Sequence, residues 1–285
     1  MKVARVQQTG LAAGYQDTGR PGWRRFGVPT GGFMDGHSAS LANKLLDNTH
    51  NETVLEFALH GAEIEFLQDT WIALAGACSS QLLKAGSARL VHAGESLSLS
   101  PAPAGIWTYL AIPGGWQAQT WFGSTSTHSR SCIGDRIQNG DILKSCTNRL
   151  APFESSVVTR LPTNDHTIDL APPPDGFPIL PGPQYSSFPS RAQEALTHQK
   201  WQISSQSDRA GYRLQGHPLD LADEISSEPV LPGSFQVPGN GQPIITMPDG
   251  PTVGGYPKIA YMEHRTLWKL AQCQPGSQVE FRWEK

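Results

Sequence analysis

Four polar stretches, each set among glycines or prolines, carry the residue types that do chemistry. In "QSDRAGYRL" (206–214) Asp208 precedes Arg209, and Tyr212 follows. The guanidinium of Arg209 is a planar fork suited to a carboxylate or phosphate. Asp208 can orient that fork, or act as a base if desolvated. The competing reading is an exposed turn pair worth about 0–1 kcal/mol. In "MPDGPTVGGYPKIA" (247–260) Tyr256 and Lys258 project from a close backbone approach made by Gly254 and Gly255, with Pro257 between them. Lys258 then neutralises a ligand carboxylate, or is a solvated lysine on a hairpin. In "PGPQYSSF" (181–188) Gln184 offers both a donor and an acceptor, as an amide substrate needs. A plain Pro-Gly linker is the alternative. In "YQDTGRPGWRRFGVPTGGFMD" (15–35) the glycines admit a ligand close to the backbone beside Arg20 and Asp35. The alternative is turn-making, with Asp17 paired to Arg20 at the surface.

The elements that must position these groups read mainly as β. Gly (29) and Pro (23) are scattered through short apolar runs of a 285-residue chain. Short strands joined by tight turns look like this, and sandwiches or barrels are the architectures that accommodate them. A glycine turn running into an alternating strand occurs three times, in "HAGESLSLS" (92–100), "QNGDILKS" (138–145) and "QPGSQVEFRW" (274–283). Two helices interrupt the pattern. "DGHSASLANKLLDN" (35–48) puts Ala39, Ala42, Leu45 and Leu46 on one face, with Asp35 or Ser38 as cap and Asn48 as stop. "FPSRAQEALTH" (188–198) spaces Ser190 and Gln193 as a capping box. The proline-rich run 171–184 reads as a stiff connector, because its prolines cannot continue a central strand. The expected organisation is an N-terminal β-rich domain over 1–175 and a C-terminal barrel over 176–285, with strand exchange across the boundary allowed.

Composition narrows the function. The net charge is −3 and charged residues make up 16%, so no basic stripe exists for nucleic acid. "MKVARVQQTG" has no apolar signal region. The longest apolar run, "WIALAGAC" (71–78), falls well short of the roughly 20 residues a membrane helix needs. A soluble, cytoplasmic protein is expected. Cys78, Cys132, Cys146 and Cys273 lack CxxC spacing and are expected to be reduced and mostly buried, and no HExxH or other paired metal spacing is present, so no metal is expected. There is no P-loop, no GxGxxG after a strand, no GxSxG elbow and no Met-Lys-Met carrier sequence. Any ATP or biotin chemistry must therefore be handled by another chain.

Taken in order, "QDTGRPGWRRFGVPTGGFMD", "ANKLLDN", "ETVLEF", "YLAIPGG", "PGPQ", "QSDRAGYRL", "SEPVLPGSFQVPGNGQPI" and "PTVGGYPKIA" resemble the allophanate hydrolase subunit 2 family. That family includes the C-type subunits of bacterial 5-oxoprolinases and KipA-type regulators. The resemblance spans nearly the whole chain. It implies two β-barrel-like units, one cyclophilin-like, with a few short helices. It also implies a B-type partner (allophanate hydrolase subunit 1, or KipI-like) and a larger A-type partner. Three positions depart from the family pattern. Thr125 stands where Arg is common, in a shortened stretch 123–141. Ala210 replaces Met, and Val253 replaces Thr. Arg130 or Arg136 is available to fill the place of the absent arginine.

The function this implies is that of the C-type component of an ATP-dependent 5-oxoprolinase, opening 5-oxo-L-proline to L-glutamate. Asp208, Arg209 and Lys258 are the expected catalytic residues. Gln184, Tyr212, Gln236, Gly254, Gly255, Tyr256, Arg20 and Asp35 are the expected substrate contacts. Two rivals remain at this point: the carboxyltransferase component of a biotin-dependent urea or amide carboxylase, and a non-catalytic KipA-type regulator that binds a kinase inhibitor.

Overall fold

The computed structural model describes residues 1–101, 104–147, 157–158 and 170–284. The chain forms two compact units. One comprises Met1–Arg20 and Gly31–Leu170, the other Pro21–Thr30 and Ala171–Lys285. The polypeptide thus enters the second unit twice, first as a ten-residue excursion.

The first unit contains β1 (Lys2–Thr9), β2 (Ala12–Gln16), α1 (Gly36–Lys44), β3 (Val54–Ala58), β4 (Ala62–Phe66), β5 (Thr70–Gly76), β6 (Ser87–Val91), β7 (Ser96–Ser98), β8 (Trp107–Ala111), β9 (Ile142–Lys144) and β10 (Val157–Val158). They build a four-stranded sheet, β7-β4-β1-β9, and a six-stranded sheet, β10-β6-β5-β8-β3-β2, all antiparallel. In β4 the alternation is clean: Ala62, Ile64 and Phe66 are buried, and Glu63 and Glu65 turn outward. β5 and β8 are buried almost throughout, because α1 packs against them. This is why "WIALAG" is a continuous apolar run rather than an alternating one.

The second unit contains β11 (Phe177–Pro181), α2 (Ser190–Thr197), β12 (Trp201–Ile203), β13 (Gly211–Gln215), β14 (Glu228–Pro229), β15 (Ser234–Gln236), β16 (Ile244–Thr246), β17 (Val253–Gly254), β18 (Lys258–Tyr261), α3 (His264–Ala271), β19 (Gln278–Val279) and β20 (Phe281–Trp283). Eight of the strands form one sheet in the order β19-β12-β13-β16-β15-β18-β11-β20. β19 and β20 lie at its two ends, yet only Glu280 separates them in sequence. One residue joining both edges curls the sheet into a nearly closed barrel, which removes exposed strand edges. Phe177, Phe235 and Phe281 fill the interior, with ring centroids of Phe235 and Phe281 5.0 Å apart at near-perpendicular planes. β14 and β17 form a separate two-stranded ribbon.

The mainly β reading holds, and each of the three repeated glycine turns has a left-handed glycine before its strand: Gly94, Gly140 and Gly276. Details differ. α1 is capped by Asp35, whose carboxylate accepts from the His37 and Ser38 amides, and it ends at Lys44. Asp47 takes the left-handed turn there, and Asn48 donates to the carbonyl of Ile112. The capping box at α2 does not form. Ser190 is already helical, and Gln193 Nε2 donates back to the carbonyls of Tyr185 and Phe188. α3 was not expected, although Leu267, Leu270 and Ala271 have helical spacing and are its buried face.

The expected connector over 171–184 contains β11, an interior strand of the barrel. Its prolines are tolerated by register. Phe177, Pro178 and Ile179 pair with β20, whereas pairing with β18 begins at Leu180. The Phe177 amide donates to Glu280, so Pro178 turns its missing N–H away from β20, before β18 begins to pair.

Candidate functional site

A polar cluster in the second unit lies where the β14–β17 ribbon meets the barrel strands β15 and β18. Lys258 opens β18 and is 2% exposed. Its ammonium is ion-paired with Oε1 of Glu228, which belongs to β14. The contact is an ion pair, and Nζ makes no well-formed hydrogen bond to any described residue. Gln184 closes the group from the loop after β11. Its Nε2 donates to Glu228 Oε1 at 2.8 Å, and its Oε1 accepts the Lys258 amide at 3.1 Å. Both functions of the Gln184 amide are thereby engaged inside the protein. The Lys258 ammonium, and after it the Gln184 amide, hold the Glu228 carboxyl below its ordinary range.

Gly254 lies directly opposite Glu228 in the ribbon. A Cβ there would fall 2.7 Å from Gln236 Oε1, so glycine is what allows Gln236 to reach this face. Gln236 Nε2 in turn donates to Thr246 Oγ1 at 3.0 Å. Gly255 continues the same backbone run, and the position of its absent Cβ has only ordinary contacts. The ribbon is tied to the excursion 21–30 by Arg24, whose guanidinium donates to the carbonyls of Val230 and Pro251. Tyr256, 48% exposed, lines a shallow cavity of about 290 Å³ with Leu221, Glu224, Ile225 and Val237.

Asp208 and Arg209 form a different group, at the turn into β13. Asp208 Oδ1 accepts the amides of Ala210 and Gly211, an Asx-type turn. The fork of Arg209 is held by Asp249, through Nε to Oδ2 at 2.8 Å and Nη2 to Oδ1 at 2.9 Å. Such bidentate pairing fixes both side chains. Tyr212 is 2% exposed, and its hydroxyl donates to the carbonyl of Ala271 at the end of α3. The structure therefore gathers Gln184, Gln236, Gly254 and Lys258 around Glu228, and places Asp208 and Arg209 with Asp249.

Arg20 and Asp35 belong to the first unit. Arg20 is fully buried and donates to the carbonyls of Ser126 and Trp121. Asp35 caps α1, as described, and its own amide donates to the Tyr109 hydroxyl. Burial, and then the nearby Glu56 carboxylate, push the Tyr109 phenol well above its ordinary range. Asp17 organises the neighbouring loop. Its carboxylate accepts from the Gly19 amide, the Ser124 and Ser126 hydroxyls, and both the amide and hydroxyl of Thr125, at 2.6–3.1 Å. Thr125 Oγ1 also lies 2.7 Å from Thr53 Oγ1. Arg136 donates to the Ser129 carbonyl and to Cys132 Sγ. All four cysteines are free thiols, two buried and two exposed. No group of three or more metal-ligating side chains exists among the described residues, and no described helix is long and apolar enough to cross a membrane.

A family model described as carboxyltransferase domain, subdomain A and B, matches residues 26–283. The chain belongs to this carboxyltransferase-domain family. It is 35% identical to the C subunit of the Escherichia coli (strain K12) 5-oxoprolinase, over 98% of this chain and 90% of that protein. A crystal structure of the TTHA0988 protein superposes on 99% of the chain with a TM-score of 0.86 at 30% identity; the chain spans 56% of its length. The Kluyveromyces lactis urea amidolyase structure superposes on 99% with a TM-score of 0.82 at 26% identity, and the chain spans 19% of it.

In this carboxyltransferase-domain chain the sequence reading did not single out Glu228, Asp249 or Asp17 as site residues. Glu228 carried a weak signal, as the one acid in the apolar, Pro- and Gly-rich run "EPVLPGSFQVPG". Asp249, between Pro248 and Gly250, reads as turn chemistry. Only the fold sets it against Arg209, 40 residues away.

Proposed function

We propose that this chain is the C-type component of a 5-oxoprolinase, which opens 5-oxo-L-proline to L-glutamate together with A- and B-type partner chains. The observation that carries this reading is the 35% identity to the E. coli C-type protein, extending over nearly the full length of both chains. The absence of P-loop and carrier motifs from the sequence agrees with ATP being handled by a partner chain. In this reading the partner transfers the γ-phosphoryl group of ATP to the lactam oxygen, and ADP leaves. Water then adds to the activated carbon, and the ring C–N bond breaks. Phosphate departs as the carboxylate forms. The part played by this chain is to hold the amide at the Glu228–Lys258 cluster.

The test is reconstitution with the A- and B-type partners and measurement of 5-oxoproline-dependent ADP release. Turnover should require this chain; equal turnover without it would sink the proposal. A second reading is a carboxyltransferase component that acts on a urea-like amide, favoured by the superposition on the K. lactis urea amidolyase. Decay of carboxybiotin on a carrier protein upon addition of urea, dependent on this chain, would favour that reading. A tight complex with a B-type protein and no turnover of either substrate would leave the regulator.

A further inference from the structure

Lys258 and Glu228 are unequally placed. The lysine lies beneath, 2% exposed, while Glu228 keeps 37% of its side chain accessible. Of the two carboxylate oxygens, Oε1 is occupied by the Lys258 ammonium and the Gln184 amide. Oε2 receives no hydrogen bond from any described residue. Gly254, opposite in register, contributes no side chain to cover it. Beside Gly254, Gln236 presents Oε1, which likewise has no donor among the described residues.

We infer that Glu228 Oε2 is a ligand acceptor that takes an N–H of an amide substrate, with Lys258 and Gln184 as the positioning residues that hold the carboxylate. Three features select this ligand chemistry. The two oxygens without a donor among the described residues, Glu228 Oε2 and Gln236 Oε1, are acceptors, so the ligand must supply donors. A carboxylate set at Oε2 itself is repelled, because Glu228 lies between it and the ammonium, so the carboxylate of 5-oxoproline must point away from this atom. A cation gains little, because the ammonium already balances the carboxylate. A neutral amide N–H meets these conditions, whether from a lactam or from urea. The inference rests on the amide-substrate reading above and names the atom that would recognise it. Its physical consequence is discrimination: a site built to receive a donor rejects an isostere that lacks one, because the acceptor is left desolvated and unpaired.

The experiment uses the chain assembled with its A- and B-type partners. Binding is measured for 5-oxoproline, for its ring-oxygen analogue 5-oxotetrahydrofuran-2-carboxylate, and for urea. ADP release is followed separately. The lactam should bind about ten-fold or more tightly than the lactone, the range of a hydrogen bond to a charged acceptor. E228Q should erase that preference. If removing the partner of a buried lysine prevents folding, E228Q/K258M removes both charges and should erase it equally. K258M alone keeps the carboxylate but loses the ammonium that holds it, so the preference should narrow without vanishing, as the Gln184 amide still fixes Oε1. Tighter binding of urea than of 5-oxoproline, lost in the same variants, would assign the same acceptor to the urea-like amide. Equal affinity for lactam and lactone, a preference that survives loss of Glu228, or failure of all three to bind would overturn the inference. Discrimination without 5-oxoproline-dependent ADP release would overturn the 5-oxoprolinase reading and leave the acceptor standing. Turnover with discrimination indifferent to Glu228 would do the reverse.

Discussion

Asp17 and Glu228 are both carboxylates held by several donors, with opposite consequences. Asp17 is buried, and its donors are loop hydroxyls and amides. Asp17→Ala leaves them unpaired and should cost about 2–4 kcal/mol in denaturant unfolding, since buried unsatisfied groups cost about 1–3 kcal/mol each. A loss below about 1 kcal/mol would mean that water replaces the carboxylate. Glu228 is partly exposed, and its effect is read in pH. Its folded-state pKa lies below the unfolded value, near 4.3 for glutamate. The stabilisation it contributes is complete above the unfolded pKa and is lost as pH falls through the folded one. Thermal melts of wild type from pH 7 down to pH 3 should therefore decline on the acid side more steeply than those of E228Q. Parallel curves would remove Glu228 from the acid response. At this scale the sequence reading had the residue types but not the partnerships. Gln184 does have a donor and an acceptor to offer, yet Glu228 and the Lys258 backbone use them.

Among elements, the β14–β17 ribbon and α3 make contrasting predictions. Gly254→Ala places a methyl 2.7 Å from Gln236 Oε1. The mutant should fold, because Gly254 has no left-handed φ. It should lose ligand binding about ten-fold or more, as a displaced acceptor is worth a hydrogen bond to a polar site. Unchanged binding would separate Gln236 from the site. Leu267→Ala, on the buried face of α3, should instead cost about 2–5 kcal/mol in unfolding free energy through cavity formation. α3 also receives the Tyr212 hydroxyl at Ala271, so its loss should loosen β13. The helix was legible in principle, since Leu267, Leu270 and Ala271 follow the helical period. The ribbon was not. "EP" and "VG" are two residues each, too short for periodicity to register.

At the level of the whole molecule, the distinctive feature is that the chain visits its second unit early, through residues 21–30. Arg24 fastens that excursion to Val230 and Pro251. Arg24→Ala should raise hydrogen–deuterium exchange across 21–30 and at the Val230 amide, leaving the exchange of β5 and β8 unaffected. Uniform protection in the mutant would show the excursion to be held by other contacts.

What the sequence by itself determined is local and periodic. Alternation set the inward faces of strands such as β4, glycines set the left-handed turns before β7, β9 and β19, and Asp35 set the start of α1. These depend on neighbours within a few residues, so composition and spacing record them. The tertiary structure alone decided which charges meet. Lys258 with Glu228, Arg209 with Asp249, and Asp17 with the loop 124–126 are separated by 30 to more than 100 residues. Only the packing and strand registration within each unit bring them within bonding distance, because a long-range pairing leaves no periodic trace in either segment.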